Sequence, residues 1–299
     1  MRLQSYVLSS LAMMLTIAPA REATAQLSGS FVSIEVPGAS LTIARAITAD
    51  GRVVGIFNDA SGQHGFLLSD GQFTKIDAPV AGARGTAAYG INTRGDVVGG
   101  WVDSSGVQRG FVWPANGSFT SIDIPGAIRT IARGINAAGD IVGIYDLPDK
   151  RRGFLRTRAG EISTIDVPGT FGPPINGTWA TAINERGDIV GPGFDGTIHG
   201  YLISGDTVTQ IDAPFAGAMN SQIQGLNTRG DTVGFYMVGS KSIGFLRDRD
   251  GNYEPIEAPV SDPTVNTMAW GINARGDIVG QYVVGGVFRG FVLYRSGAR

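Results

Sequence analysis

Six times the chain spells the same short phrase, and few folds can accommodate that. Gly90-Ile91-Asn92-Thr93-Arg94-Gly95-Asp96-Val97-Val98-Gly99 is one copy, and the others occupy residues 46–55, 134–143, 182–191, 225–234 and 271–280. Ile and Asn end one strand, a tight turn follows, and Asp-x-Val-Gly begins the next. An Asn opening the turn can bond the backbone ahead of it, and Gly at the last turn position accepts the left-handed conformation of a bulged hairpin. Asn92, Asn136, Asn184, Asn227 and Asn273 therefore read as turn residues, with Gly95, Gly139, Gly187, Gly230 and Gly276 as their partners. The first copy has Thr48 for Asn and Arg52 for Asp, so its turn is expected to be the least well specified. Four copies spell Arg-Gly-Asp, beginning at Arg94, Arg186, Arg229 and Arg275. That tripeptide resembles an integrin-recognition signal, but the hairpin already requires its Gly and Asp.

Each repeat supplies four strand candidates, A to D. Strand A runs into the turn and strand B leaves it. Strand C carries a basic-Gly-aromatic-aliphatic signature such as Arg109-Gly110-Phe111-Val112, with His64, Arg152, His199, Ile243 and Arg289 opening the other copies. Strand D resembles Phe119 to Pro125 and ends at Pro, which cannot continue a ladder. One D strand, Phe31 to Pro37, stands ahead of any A strand, while the last repeat stops after its C strand at Phe291 to Tyr294. The count balances only if the first D strand completes the last repeat. Repeats beginning at Phe31, Phe73, Phe119, Ile162, Val208 and Tyr253, with four strands in each, predict a six-bladed β-propeller. Closure by the two termini would also remove free sheet edges. An open β-solenoid is the competing architecture, and it gives no reason for the terminal strands to complement each other.

Placing Trp113 opposite Phe119 puts Arg109 opposite Asp123 across strands C and D. The same register pairs His64 with Asp77, Arg152 with Asp166, His199 with Asp212 and, across the closure, Arg289 with Glu35. Only Ile243 with Glu257 breaks the rule. Both histidines of the chain are thereby explained as halves of cross-strand charge pairs.

These repeats resemble the HAF-repeat family of probable extracellular bacterial proteins. In that family a Gly-Ile-Asn-x-x-Gly-x-Val-Val-Gly segment precedes a His-Ala-Phe-Leu segment. Here Gly replaces the middle Ala in every copy, and the His survives only at His64 and His199. The resemblance implies export and a repeat architecture, and it brings no catalytic residues.

Export is also legible at the N-terminus, where Arg2 precedes an apolar run from Val7 to Ala20 and then Ala23-Thr24-Ala25. That run is too short for a comfortable membrane span and ends at a small-x-small site, so residues 1–25 read as a signal peptide, with Ala18-Pro19-Ala20 a second cleavage site. Removing 1–25 takes Arg2, Arg21 and Glu22 from 24 basic and 26 acidic residues, leaving 22 against 25 and a net charge of −3. A mildly acidic chain has no basic footprint for nucleic acid. The mature domain, 26–299, is expected in the periplasm or the medium as a monomer, with no membrane span. With no Cys it must hold together by packing alone.

The variable positions inside this regular frame point to function. Just before the Gly or Ala that precedes Ile on strand A stand Arg45, Tyr89, Arg133, Thr181, Gln224 and Trp270, although their neighbours hardly vary. Strand A is innermost in a propeller, so these six are the candidate ligand-binding set around a central channel. Two guanidinia and two aromatic rings would suit an anionic or carbohydrate ligand. Trp179, beside the long D-to-A connection of residues 169–178, is added as an asymmetric wall. No catalytic residue, metal site or cofactor is assigned, there being no thiol, no His cluster and no phosphate loop. The expected function is an exported, non-catalytic propeller that binds a glycan, a cell-surface polymer or a protein. The alternatives are a propeller hydrolase or lyase with a site at the channel mouth, and a structural component of a matrix.

Overall fold

The computed structural model describes residues 16–17, 29–167 and 177–295, and among these it is built of strands and turns with no helix. The signal-peptide segment lies outside the described residues except for Thr16–Ile17, which runs parallel to Thr209 and Gln210. Each repeat is an antiparallel meander in chain order. In the second repeat the strands are Gly85–Ile91, Val97–Val102, Gln108–Trp113 and Thr120–Ile122, each bonded to the next. The last repeat has Asn266–Ile272, Ile278–Val284 and Val287–Arg295, and its fourth strand is Gly29–Ile34 from the other end of the chain. Phe31 pairs with Leu293 and Ile34 with Gly290, so the orphan D strand lies where the strand count requires it. Phe31 stacks on Phe291 with ring centroids 4.7 Å apart and meets Tyr282 edge-on at 5.7 Å.

The A-to-B turns form as their residues dictate. Gly95 has φ +88°, its N–H donates to Asn92 O at 3.0 Å, and Asn92 N–H donates to Asp96 O at 3.1 Å. The Asn92 side chain does double duty. Its Oδ1 accepts from Arg94 N and Asp96 N, both at 3.0 Å, while its Nδ2 donates to Asn136 O of the next turn. Asn136 donates in the same way to Asn184 O, Asn184 to Asn227 O, Asn227 to Asn273 O, and Asn273 to Thr48 O, at 3.0–3.4 Å through the series. Thr48 has no amide to continue, and Arg52 takes over by donating from Nη2 to Thr93 O at 2.8 Å. The Thr48 turn keeps both backbone bonds, Gly51 N–H to Thr48 O at 3.0 Å and Thr48 N–H to Arg52 O at 2.9 Å. Thr48 Oγ1 also accepts from Arg52 N at 3.1 Å, replacing the Asn Oδ1. The first turn is thus held by different chemistry and keeps the same backbone pattern. In the Arg-Gly-Asp copies Arg and Asp bond each other, from Arg94 to Asp96 at 2.9 Å through Arg275 to Asp277 at 3.1 Å, so the tripeptide is occupied with its own hairpin.

The core follows from two glycines per repeat. The fully buried Phe66, Phe111, Phe154, Phe245 and Phe291 lie on the C strands, facing Gly55, Gly99, Gly143, Gly234 and Gly280 of the B strands. At Gly99 an added Cβ would lie 2.0 Å from Ala87 O and 2.6 Å from the Phe111 ring. The C-strand glycine faces outward to the next repeat. A Cβ at Gly110 would meet Ala132 N at 3.3 Å, and one at Gly290 would meet Ala44 N at the same distance. That close approach accounts for Gly at this position of the C strand.

The cross-strand charge pairs fall in the expected register. Arg109 donates to Asp123 at 2.9 Å, Arg152 to Asp166 at 2.5 Å and Arg289 to Glu35 at 2.6 Å. His64 Nδ1 lies 2.6 Å from Asp77 and His199 Nδ1 2.8 Å from Asp212. Glu257, opposite Ile243, bonds Lys241 instead. Exposed pairs of this kind are worth about 0.2–1 kcal/mol each, so they select register more than they stabilise.

Candidate functional site

Every A strand carries one residue too many for its partner. The A-to-B register shifts between Ala44 and Ala46, Ala88 and Gly90, Ala132 and Gly134, Ile223 and Gly225, and Ala269 and Gly271. In the fourth repeat it shifts between Thr178 and Ala182. A β-bulge of this kind leaves one residue out of the ladder and re-aims its side chain. The bulged residues are Arg45, Tyr89, Arg133, Gln224 and Trp270, with Thr181 at the corresponding place. All six candidates line a single central cavity of about 110 Å³.

Its wall is tight because the strands meet backbone to backbone. A Cβ at Gly90 would lie 2.8 Å from Arg133 O, one at Gly225 2.8 Å from Trp270 O, and one at Gly271 2.7 Å from Arg45 O. Its floor is a collar of Ile47, Ile91, Ile135, Ile183, Leu226 and Ile272. The same six residues also line a second cavity of about 120 Å³ on the side of the Asn turns, so the collar separates two chambers. The aliphatic residue after the bulge was visible in every repeat, and its part in dividing the channel was not.

The charged half of the cavity is contiguous. The Arg45 guanidinium lies 3.9 Å over the Trp270 ring and 5.5 Å from that of Tyr89, and the Arg133 guanidinium lies 4.7 Å over Tyr89. Trp270 donates its indole N–H to Gln281 at 3.2 Å and meets Phe235 edge-on, which fixes the ring. Both arginines are half-buried, and their Nε atoms are sealed from solvent with no hydrogen-bond partner among the described residues. Burial pushes Arg45 down to about 10, Tyr89 opposing the shift and Arg133 adding to it, and burial lowers Arg133 as well. At about 10, Arg45 remains a cation at neutral pH. Among the described residues no carboxylate lines the cavity. Across from them, Thr181 donates to Val190 O at 3.0 Å, and Gln224 donates one amide N–H to Gln222 at 3.3 Å.

An unpaired, partly desolvated cation costs stability, and stacking offsets only part of it. The Arg45→Met variant, which keeps a long apolar chain on Trp270, is therefore expected to gain about 1 kcal/mol in the ligand-free protein, or some 2–4 °C in Tm. Thermal denaturation measures this, and a loss of stability would show that the guanidinium is a packing element.

Trp179 does not belong to this cavity. It lies under the Arg151 guanidinium at 4.7 Å, and its backbone N–H donates to Pro192 O at 2.9 Å. Most of the connection expected as an asymmetric wall, its residues 169–176, lies outside the described residues.

One cluster has the distances of a catalytic triad. Ser61 Oγ is 2.9 Å from His64 Nε2, and His64 Nδ1 is 2.6 Å from Asp77. The second repeat shows what it is for. There Ser105 donates to Asp103, and Arg109 bridges Asp103 and Asp123, so the same scaffold forms with a side chain that cannot act as a base. Ser61 Oγ likewise donates to Asp59 at 2.6 Å rather than delivering its proton to the imidazole. Among the described residues no three His, Cys, Asp or Glu side chains come together as a metal site.

No protein-family model matches the sequence, and no curated protein matches it. Solved structures do. The Aleuria aurantia lectin N224Q mutant in complex with Fucα1-6GlcNAc superposes with TM-score 0.55 at 14% identity, over 86% of this chain and 93% of that one. Virginiamycin B lyase from Staphylococcus aureus gives TM-score 0.51 at 11% identity, over 89% and 99%. AofleA from Arthrobotrys oligospora gives 0.51 at 14%, over 92% of each chain. At such identities the likeness is one of fold, and it places this chain among all-β, propeller-like proteins.

Proposed function

We propose that this chain is an exported, non-catalytic binding module: a propeller of six four-stranded blades, with Gly29–Ile34 completing the last, that recognises a carbohydrate or cell-surface polymer at its central cavity. The observation that carries the reading is the convergence of the six non-repeating bulge residues. Those positions vary while their neighbours hardly do, as expected of recognition residues carried on a fixed scaffold. Aromatic rings beside hydrogen-bonding groups suit a sugar, whose apolar face stacks while its hydroxyls bond. The propeller-like neighbours include a lectin with a bound disaccharide, which fits this reading, and the HAF resemblance and signal segment support export. A lyase neighbour favours the alternative of catalysis at the channel mouth. Against it, the residues lining the cavity include no carboxylate, imidazole or thiol to serve as general base or nucleophile.

The test is glycan-array and cell-wall pulldown screening of the mature chain beside a Trp270→Ala variant. Retention of a glycan class that the variant holds at least ten-fold more weakly is the expected result. No binding at millimolar ligand, or equal binding by the variant, would sink the reading.

A further inference from the structure

We propose that the group recognised in the central cavity is the carboxylate of an acidic sugar, held between Arg45 and Arg133; this rests on the binding role proposed above. Most other described arginines sit against acids, as Arg94 does with Asp96, Arg109 with Asp123, Arg152 with Asp166 and Arg289 with Glu35. Arg45 and Arg133 make no ion pair among the described residues, although acids outnumber bases in the mature chain. The protein thus brings two cations to one Tyr89 ring, in a cavity whose lining among the described residues carries no acid. Two like charges so placed repel unless an anion lies between them.

Stacking defines what kind of anion. Each guanidinium is laid over an aromatic ring, Arg45 on Trp270 and Arg133 on Tyr89, which immobilises its plane and leaves its donors along the edge. A fixed planar fork matches the two oxygens of a carboxylate. The opposite arc then selects for hydroxyls. Gln224 commits one N–H to Gln222 and keeps its carbonyl oxygen, an acceptor that an inorganic anion such as sulfate cannot satisfy and a sugar hydroxyl can. Size narrows the choice further. About 110 Å³ is well below the roughly 300–1,000 Å³ of a pocket that swallows a drug-sized ligand, so the cavity takes only the carboxylate end of a terminal sugar, the rest of which lies outside it. The collar of isoleucines beneath lowers the local dielectric and strengthens the attraction. A bound anion would raise both Arg45 and Arg133, which burial holds below the ordinary arginine value.

Titration calorimetry on the mature chain tests this with trigalacturonate, a glucuronate-terminated oligosaccharide, the neutral galactose and glucose counterparts, inorganic phosphate, and a short acidic peptide. The expected result is that at least one uronate oligomer binds and its neutral counterpart binds at least 30-fold more weakly. Arg133→Gln should bring the acidic ligand down to the neutral one, and Arg133→Lys should recover only part of the loss, because it restores charge without the fork. Arg45→Gln, checked for folding by circular dichroism, repeats the test should Arg133→Gln misfold. Equal binding of acidic and neutral sugars would overturn the carboxylate assignment and leave the glycan-binding role standing. Binding of phosphate or peptide but of neither uronate would overturn the acidic-sugar source. Silence from every probe and from the glycan screen would remove both readings.

Discussion

Gly99→Ala is expected to destabilise the protein by about 3 kcal/mol or more, while Gly100→Ala, one residue along, is expected to stay within about 1 kcal/mol of the parent. The difference is one of space. A methyl group on Gly99 would sit 2.0 Å from the carbonyl oxygen of Ala87 and 2.6 Å from the Phe111 ring. The first neighbour is backbone in a paired strand, and the second is a ring fully buried in the core, so neither can give way without breaking the ladder. On Gly100 the nearest atom is the end of the Gln108 side chain at 3.4 Å, an ordinary contact. Both glycines lie outside the left-handed region, so the comparison isolates packing from backbone strain. The slight stabilisation from a stiffer unfolded chain applies equally to the two. Urea denaturation of both variants is the measurement, and equal midpoints would show that the Phe-over-Gly contact does not organise the repeat.

Removal of the first strand should be larger still. A chain beginning at Pro37 is expected not to fold at 25 °C, or to aggregate. The lost strand contributes Ile34, buried in the core, and Phe31, stacked on Phe291 and edge-on to Tyr282, which together account for about 3–6 kcal/mol of apolar burial. It also contributes the whole ladder from Gly29–Arg295 to Ile34–Gly290 and the Glu35–Arg289 pair. Its absence leaves Val287–Arg295 as an open edge, a template for pairing with another chain. Against a typical net stability of about 5–15 kcal/mol, losses of this size exhaust most of the margin. If the repeats were an independent open array, the same truncation would cost only the last repeat. Far-ultraviolet circular dichroism and gel filtration of the truncated chain distinguish the outcomes, and a monomer that keeps most of its strand signal would contradict the expectation.

Much of the scaffold was legible because its punctuation is chemical. Gly95 and Pro125 mark where strands turn and stop, and the basic residue at Arg109 reveals its partner Asp123 by charge alone. The six cavity residues were legible by contrast, as variable positions inside a fixed frame. What carried no signal in one dimension was the mechanism of their placement. A bulge is a count of two residues against one across strands, so Ala-Arg-Ala at 44–46 and Ala-Tyr-Gly at 88–90 do not declare it. The amide chain from Asn92 to Thr48 was hidden for a similar reason, since each Asn satisfies its own turn and its second bond is made to another repeat. Thr48 was expected to leave its turn loose, and its hydroxyl together with Arg52 restores the bonds. Trp179 was placed in the site by proximity to a long loop, and Arg151 proves to be its partner.

The pairing of the two ends of the chain is tested most directly by a covalent bridge. Ser30 and Tyr294 face each other across the terminal strands, and both are exposed, so cysteines there would not disturb the core. The chain has no Cys of its own, which makes Ser30→Cys with Tyr294→Cys a clean pair. Under mild oxidation the double variant should form one intramolecular disulfide and melt several degrees above its reduced form, as expected when a loop of more than 200 residues is closed. Free thiols, or bridges only between separate molecules, would mean that the ends do not meet.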